Sequence, residues 1–378
     1  MDSQSKREQE IALKQIIVIS AVIAAGFLLQ IFTGSVVQEI LAAPVSIILS
    51  ATILSLLFIK QGDLLQQCGS ARVSLVLIAT LLIVSLLMGI IPGNTIKYSW
   101  PFALIYLMIL VNLSLATGRR LRRFRLWGDL KFILFHLGLL ILLIAAGPGS
   151  GDTKRYFITV REGDTEWRGV VSGGTEVEEL PVALALLDFD MEEYPPKIAL
   201  IERSTGTSLP AGKPEYIDAA AGNRGVIGEW SISVDSFEYP KMKAPVAHIT
   251  VKKGDGVTIN GIVSCGNYFQ PYHLLDVDSV YSFAMTYPEP QNYTSHIEIY
   301  TKSGLKKNGT VEVNHPLTAG FWKIYQYSYN STMGRDSEIS QFELVYDPWL
   351  IPAYIGIVMV MLGSLLLIIK GGESNGVE

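Results

Sequence analysis

Of 378 residues only 17% are charged, five are histidine and two are cysteine. An average soluble domain carries roughly a quarter charged residues. So large a deficit excludes an ordinary cytosolic enzyme, and 49% hydrophobic residues exclude a disordered chain. Two cysteines, Cys68 and Cys265, are too few for a disulfide scaffold. There is no C-x-x-C, which removes both a dithiol redox pair and covalent haem attachment to this chain. A pI of 5.7 and a formal charge of −5 argue against a nucleic-acid binder.

What is present is strongly segregated. Residues 1–150 hold 12 Lys+Arg against 6 Asp+Glu, net +6, and residues 151–378 hold 18 against 29, net −11. With a mean hydropathy of +0.34, this reads as a basic apolar membrane part followed by a polar acidic domain. A helix needs about 20 apolar residues to cross hydrocarbon. Six stretches qualify: 11–32, 41–59, 73–92, 101–117, 130–147 and 350–369. The only charges within them, Lys14 and Lys131, lie near span ends, where long side chains reach the headgroups. The expected division is an N-terminal extension with two helices (1–70), a three-helix membrane core (71–147), a β-rich extracytoplasmic domain (148–349), and a last helix with a short tail (350–378).

Orientation follows from the basic loops, which stay cytoplasmic. Lys6 and Arg7, Lys60 and Arg72, and Arg119, Arg120, Arg122, Arg123 and Arg125 all fall on one side under strict alternation. The intervening loops, 33–40 and 93–99, hold only Lys97. Both termini are then cytoplasmic and residues 148–349 face outward. The first span is too long for a signal-peptide core, and no clear A-x-A site follows it, so it reads as a retained helix.

From Tyr156 onward the texture changes to period-two alternation rich in Val, Ile, Thr and Tyr, the strand signature: 155–160, 230–234, 247–251, 257–260 and 296–300. Lys253-Gly254-Asp255-Gly256 reads as a hairpin turn, and Ser172-Gly173-Gly174 and residues 302–309 carry further turn signals. The expectation is a mostly β domain of two packed sheets or sub-domains. It shows no convincing active site. Asp188 and Asp190, with Glu192 and Glu193, read as a solvated acidic edge. His248, His273, His296 and His315 are too scattered for zinc ligands, which come in close pairs. The sequons at Asn292, Asn308 and Asn330 matter only in a glycosylating compartment.

One titratable group lies well inside a span. His136 is six residues past residue 130, hence roughly 9 Å along the helix from its basic end. Polar groups in hydrocarbon are costly and are functional candidates by default. Imidazole is a common ligand of haem iron, while a neutral histidine bonded to a neighbouring helix is the plainer alternative. Phe132 and Phe135 suit either reading. The arginine cluster is sufficiently explained as a topology determinant, and guanidinium groups also pair well with carboxylates such as haem propionates.

Several short segments, in order, resemble the ResB (CcsB) family of cytochrome c biogenesis proteins of the system II pathway. They are Ala71-Arg72-Val73-Ser74-Leu75 through Gly89-Ile90-Ile91-Pro92; Ser99-Trp100-Pro101-Phe102 with Asn112-Leu113 and Arg119-Arg120; and Phe135-His136-Leu137-Gly138-Leu139-Leu140. Further on come Leu180-Pro181, Asp188-Phe189 and Glu193-Tyr194-Pro195, then Val313-Asn314-His315-Pro316-Leu317, Gly320-Phe321, Ile324-Tyr325-Gln326 and Asp347-Pro348. The resemblance covers about residues 70 to 370, and the two N-terminal spans depart from the family's usual three before the outer domain.

The resemblance implies a subunit of a haem transport and ligation complex in the bacterial inner membrane, non-catalytic by itself. His136 matches the family's intramembrane haem ligand, with Arg119, Arg120, Arg122 and Arg123 beside the entry side. The cargo is haem b, held non-covalently, with a second axial histidine from the partner. The implied partners are a tryptophan-rich CcsA-like membrane protein, apocytochrome c and a thiol-reducing protein. The six Trp of this chain are dispersed, so the tryptophan-rich loop must come from that partner. His315, Phe321, Trp322, Tyr325 and Tyr327 are positions to examine for docking, although a buried β core is the simpler fate of those aromatics. The competing readings are a membrane-anchored module that binds a peptide or polysaccharide, and a transporter accessory subunit.

Overall fold

The computed structural model describes residues 2–34, 37–93, 95–254 and 256–371. The tail after Gly371, Asp255 at the expected hairpin, and the side chains of Lys6, Arg7 and Lys14 lie outside the described residues. The chain forms two compact units, 1–154 with 346–378, and 155–345.

The first unit is helical. Its elements are α1 (Asp2–Thr33), α2 (Val37–Ile40), α3 (Val45–Ser55), α4 (Asp63–Cys68), α5 (Ala71–Ile90), α6 (Trp100–Arg122), α7 (Leu126–Ala146) and α8 (Leu350–Gly371). Among the described residues, five helices are long and apolar enough to span a membrane: those in α1, α5, α6, α7 and α8. Ser70 and Ser99 cap α5 and α6 by accepting from the backbone N–H three residues on, which satisfies a donor the helix leaves open.

The six-helix expectation needs correction at its second span. Residues 41–59 hold only the 11-residue α3, which begins after Pro44 and gives way to turns beyond Ser55. Carbonyls that no longer bond within a helix must be met by the protein, since lipid offers no partners. Here Ser114 Oγ donates to Ile53 O at 2.7 Å, and Arg122 donates to Ile59 O. Just beyond, Gln61 Nε2 donates to Leu115 O at 2.8 Å. Gly118 makes the approach feasible, because a Cβ there would lie 2.5 Å from Leu57 O. At its other end the segment is held by Asp152, which accepts from Ala43 N at 2.6 Å and Ser46 Oγ at 2.7 Å. An 11-residue helix rises about 16 Å, about half the thickness of the hydrocarbon core. The segment packs on α6 and α7 through Ile53 and Leu57, partly as helix and partly as turns, while Phe58 and Ile59 remain exposed.

Two other boundaries shift. α6 continues past residue 117 to Arg122, so Arg119, Arg120 and Arg122 ride its last turn, where cations complement the helix dipole. α7 starts at Leu126, a turn before residue 130, and His136 is thus about 15 Å from its first residue rather than 9 Å. α7 and α8 pack with almost no intervening side chain: a Cβ on Gly356 would lie 2.8 Å from Gly138 O, and one on Gly363 would lie 2.6 Å from Phe135 N.

The second unit is all β. An eight-stranded sheet takes the order β13 (Lys306–Glu312), β12 (Pro290–Thr301), β3 (Val177–Glu193), β2 (Thr165–Val171), β1 (Lys154–Arg161), β16 (Ile339–Tyr346), β15 (Trp322–Tyr329), β14 (Leu317–Ala319). Its two ends meet, since Gly309 of β13 lies directly under Leu317 of β14. The interior is filled by Ile158, Leu184, Leu186, Ile297, Ile299, Val311, Ile324, Phe342 and Leu344, all fully buried. Two four-stranded sheets follow: β10 (Leu275–Asp276), β11 (Tyr281–Met285), β4 (Lys197–Glu202), β5 (Ile217–Asp218), and β6 (Arg224–Ile227), β7 (Trp230–Glu238), β8 (Val246–Lys253), β9 (Thr258–Ser264). They share one apolar core built from Ile198, Phe283, Ile232, Val234, Ile249 and Val263. The five alternating runs fall in strands except for Val257, one residue before β9, and the expected hairpin joins β8 to β9 with Gly254 at φ +52°. The turn read over 302–309 is shorter, because β13 begins at Lys306.

Candidate functional site

A cavity of about 1120 Å³ opens at the end of the helical unit where α6 finishes and α7 begins. It brings together His136 and the whole arginine cluster, Arg119, Arg120, Arg122, Arg123 and Arg125, which the sequence placed on one helix pair without showing that they share a space. Lys60 adds a sixth cation, and Asp129 is the one carboxylate in the lining among the described residues. A site with six cations to one anion favours an anionic guest.

The arginines differ in what holds them. Arg119 donates to Gln61 Oε1 at 3.3 Å, to Gln66 O at 3.2 Å and to Gly69 O, which fixes it against α4. Arg122 is fixed on Ile59 O. Arg120 Nε lies 2.5 Å from Asp129 Oδ1, and Asp129 Oδ2 accepts from Arg125 N at 2.8 Å, tying the start of α7 to the last turn of α6. Arg123 is exposed, with no protein partner among the described residues.

His136 is half-buried. Its Nδ1 lies 2.9 Å from Phe132 O. A carbonyl only accepts, so Nδ1 carries the proton and Nε2 keeps its lone pair in the neutral ring. The imidazole stacks on Phe132 with centroids 3.8 Å apart and meets the edge of Phe135 at 5.4 Å. Arg120 Cζ sits 5.4 Å from the Phe132 centroid. Guanidinium, phenyl and imidazole thus form a continuous wall, with Asp129 anchoring its charged end. A neutral nitrogen donor whose other ring nitrogen is oriented by a carbonyl is the usual arrangement of a metal-binding histidine. Such a donor, a flat aromatic wall and several guanidinium groups fit a planar metallo-ligand with carboxylates.

Asp129, Gln61 and Gln66 were missed in the sequence. Asp129 had a signal, a lone acid four residues after Arg125; the two glutamines had none, because their role depends on the irregular path after α3. Asn112 was noted only as part of a motif. It is buried, donates from Nδ2 to Cys68 O at 2.6 Å and accepts from Ser74 Oγ at 2.8 Å, joining α4 and α5 to α6.

In the β unit no group of three or more His, Cys, Asp or Glu is placed to hold a metal among the described residues. His296 Nδ1 pairs with Thr310 Oγ1 at 3.2 Å, and His315 Nδ1 with Val313 O at 3.2 Å. Trp322 is buried in the sheet, whereas Phe321 and Tyr327 are exposed. The acidic edge is not uniform: Glu193 is half-buried, and desolvation pushes its carboxyl above the usual range against a hydrogen bond from Tyr239. Cys68 is exposed and Cys265 buried, its thiol pushed up to about 11 by burial.

No curated protein matches the chain. Among solved structures it is similar to cytochrome c heme lyase CcmF, with 11% identity and a TM-score of 0.28 over 93% of this chain and 45% of that one. The chain spans less than half the length of that structure. Residues 236–337 match the model of the ResB-like family. The match lies within the β unit and bears out the likeness to ResB over those residues, which include the motifs at 313–326; the motifs at 71–140 and 180–195 lie outside it.

Proposed function

We propose that this protein is a subunit of a membrane complex for cytochrome c maturation, and that its helical unit holds haem as cargo in the arginine-lined cavity. The ResB-like match supports the pathway. The observation that carries the site is the position of His136, on the wall of a cavity lined by five arginines and one lysine. In this reading Nε2 of His136 supplies one axial ligand to the iron, with Nδ1 held by Phe132 O. Phe132, stacked on the imidazole, would hold that ring upright and turn its own edge to the porphyrin. Arg123, which has no other partner among the described residues, and its neighbours Arg119, Arg120 and Arg122 receive the propionates.

The second axial ligand comes from a CcsA-like partner, since the remaining four histidines of this chain belong to the β unit. That partner also brings the tryptophan-rich surface needed to present haem b to apocytochrome c, while a separate protein keeps the client thiols reduced. The basic end of the bundle faces the cytoplasm of a bacterial inner membrane, and the β unit faces outward. In this reading residues 41–61, α3 and the turns after it, make the sixth crossing that this alternation needs. Deleting the chain should abolish holocytochrome c while apocytochrome is still exported. Retention of normal holocytochrome levels would reject the pathway assignment.

A further inference from the structure

The β unit contains a second cavity, of about 530 Å³, unrelated to the histidine. It is formed where four loops converge beside the end of β3, and most of its lining falls within residues 236–337. Its walls are aromatic and soft: Tyr239, Tyr268, Phe269 and Tyr287, with Met242 and Met333. Tyr268, Tyr287 and Phe269 remain 76%, 69% and 58% exposed, an unusual cost for aromatic side chains on a monomer's surface.

The loops that present these rings are held in place. Asn267 Oδ1 accepts from Phe269 N and Gln270 N, each at 2.9 Å, and Gln270 Oε1 accepts from Ala244 N at 2.7 Å. Gly266 sits at φ +70°, where a Cβ would lie 2.7 Å from Gln270 O. Met242 takes φ 60°, a conformation that costs a non-glycine residue, and its N–H is fixed on Asp336 Oδ2 at 2.9 Å. A rigid cluster of exposed rings on a strained loop is the form of a preorganised recognition surface.

Glu193 supplies the polar anchor in that lining. Its Oε2 is buried without a hydrogen-bond partner, although the carboxyl does bond Tyr239. Arg335 does not fill the gap: it donates to Tyr239 O and stacks on the Tyr239 ring at 3.5 Å. A buried acceptor with no protein donor is met by water or by the donor of a ligand. Tyrosine faces attract cations, and residues 155–345 carry 16 Lys+Arg against 25 Asp+Glu, a field of net −9. Lys243, also in the lining, opposes this in part.

We propose that this cavity is a docking site for an extended, basic polypeptide, one of whose lysine or arginine side chains runs between the tyrosine rings to pair with the Glu193 carboxyl group. This goes beyond the haem reading and does not depend on it.

The test uses the full-length protein in detergent with 13C-methyl-methionine labels, so that Met242 and Met333 report from the cavity. The probes are nine-residue Ala/Ser peptides with a central Lys, Arg, norleucine or Glu. Lys and Arg peptides should shift both methyl signals, and norleucine and Glu peptides should leave them in place. Glu193→Gln, which preserves size and neutral hydrogen bonding, should weaken Lys-peptide binding at least tenfold, and the difference should persist in 0.5 M salt, where the general field is screened. Phe269→Ala, at an exposed ring, should weaken binding without altering the melting temperature. Equal response to Lys and norleucine, unchanged binding in Glu193→Gln, or no shift with any peptide would overturn the proposal.

Discussion

Asp152 is the most informative residue for how the helical unit is held together. It is buried, Oδ1 accepts from Ala43 N at 2.6 Å, and Oδ2 accepts from Ser46 Oγ at 2.7 Å and Trp349 Nε1 at 2.6 Å. Three segments far apart in sequence thus meet on one carboxylate: the start of α3, the turn after α7, and the residue before α8. Asp152→Asn keeps the shape but replaces one acceptor with an N–H2. At the Oδ1 position that amide faces the Ala43 N–H, and at Oδ2 it faces the indole N–H, so each orientation opposes donor to donor. A buried donor left unmet costs about 1–3 kcal/mol, and loss of the charge-assisted bonds brings the total to about 2–4 kcal/mol. Trp349→Phe removes one donor while Asp152 keeps two, at about 1 kcal/mol.

The double variant discriminates. Without the indole, the Asn amide at Oδ2 faces only the Ser46 hydroxyl, which rotates to accept, and the remaining oxygen serves Ala43 N. The pair should therefore be less damaging than the sum by about 1–2 kcal/mol. The measurement is thermal unfolding in detergent, read as the monodisperse fraction, because fluorescence would itself change with Trp349. Wild-type stability in Asp152→Asn, or strict additivity in the double variant, would refute the reasoning.

Three further outcomes follow from the packing and electrostatics. Gly363→Leu drives a side chain into Phe135 N and should lower stability by about 1–3 kcal/mol and loosen α7 at His136, whereas Gly89→Ala, with open space around it, should be neutral in the same melts. Glu166 is held down to about 2, chiefly by Arg168, whose guanidinium lies 2.8 Å away. Because the folded value is depressed, its contribution, about 1 kcal/mol after screening at a partly exposed pair, is present above pH 4.5 and lost as pH falls towards 2. Arg168→Gln should flatten that acid limb of the stability profile of the β unit, and an unchanged limb would contradict the pairing. Finally, a thiol reagent should modify Cys68 in the folded protein and reach Cys265 only on unfolding, checked by mass spectrometry; equal labelling would contradict the burial.

Much of the architecture was legible because it follows from local pattern. Continuous apolar runs mark the long helices, and alternation marks strands such as 230–234 and 247–251, since each depends only on which face is buried. The 41–59 segment misled because hydropathy counts apolar residues and does not see that Ser114, Gln61 and Arg122 meet the carbonyls of a broken helix. At the candidate site His136 stood out as a histidine at depth within an apolar span. The joining of its ring to Arg120 through Phe132 was not visible, since it depends on where α6 ends and α7 begins. The aromatic cavity was missed altogether: Tyr239, Tyr268, Phe269 and Tyr287 come from separate loops with no common period, and Glu193 looked like one more member of an acidic edge.

The central claim, that His136 is a haem ligand, is tested most directly by the absorption spectrum of the complex purified with its CcsA-like partner, comparing wild type with His136→Gly. The account predicts a Soret band in the wild type that is lost or shifted in the variant and restored by added imidazole, which re-supplies the nitrogen in the vacated space. A haem content and spectrum identical in both proteins would contradict it.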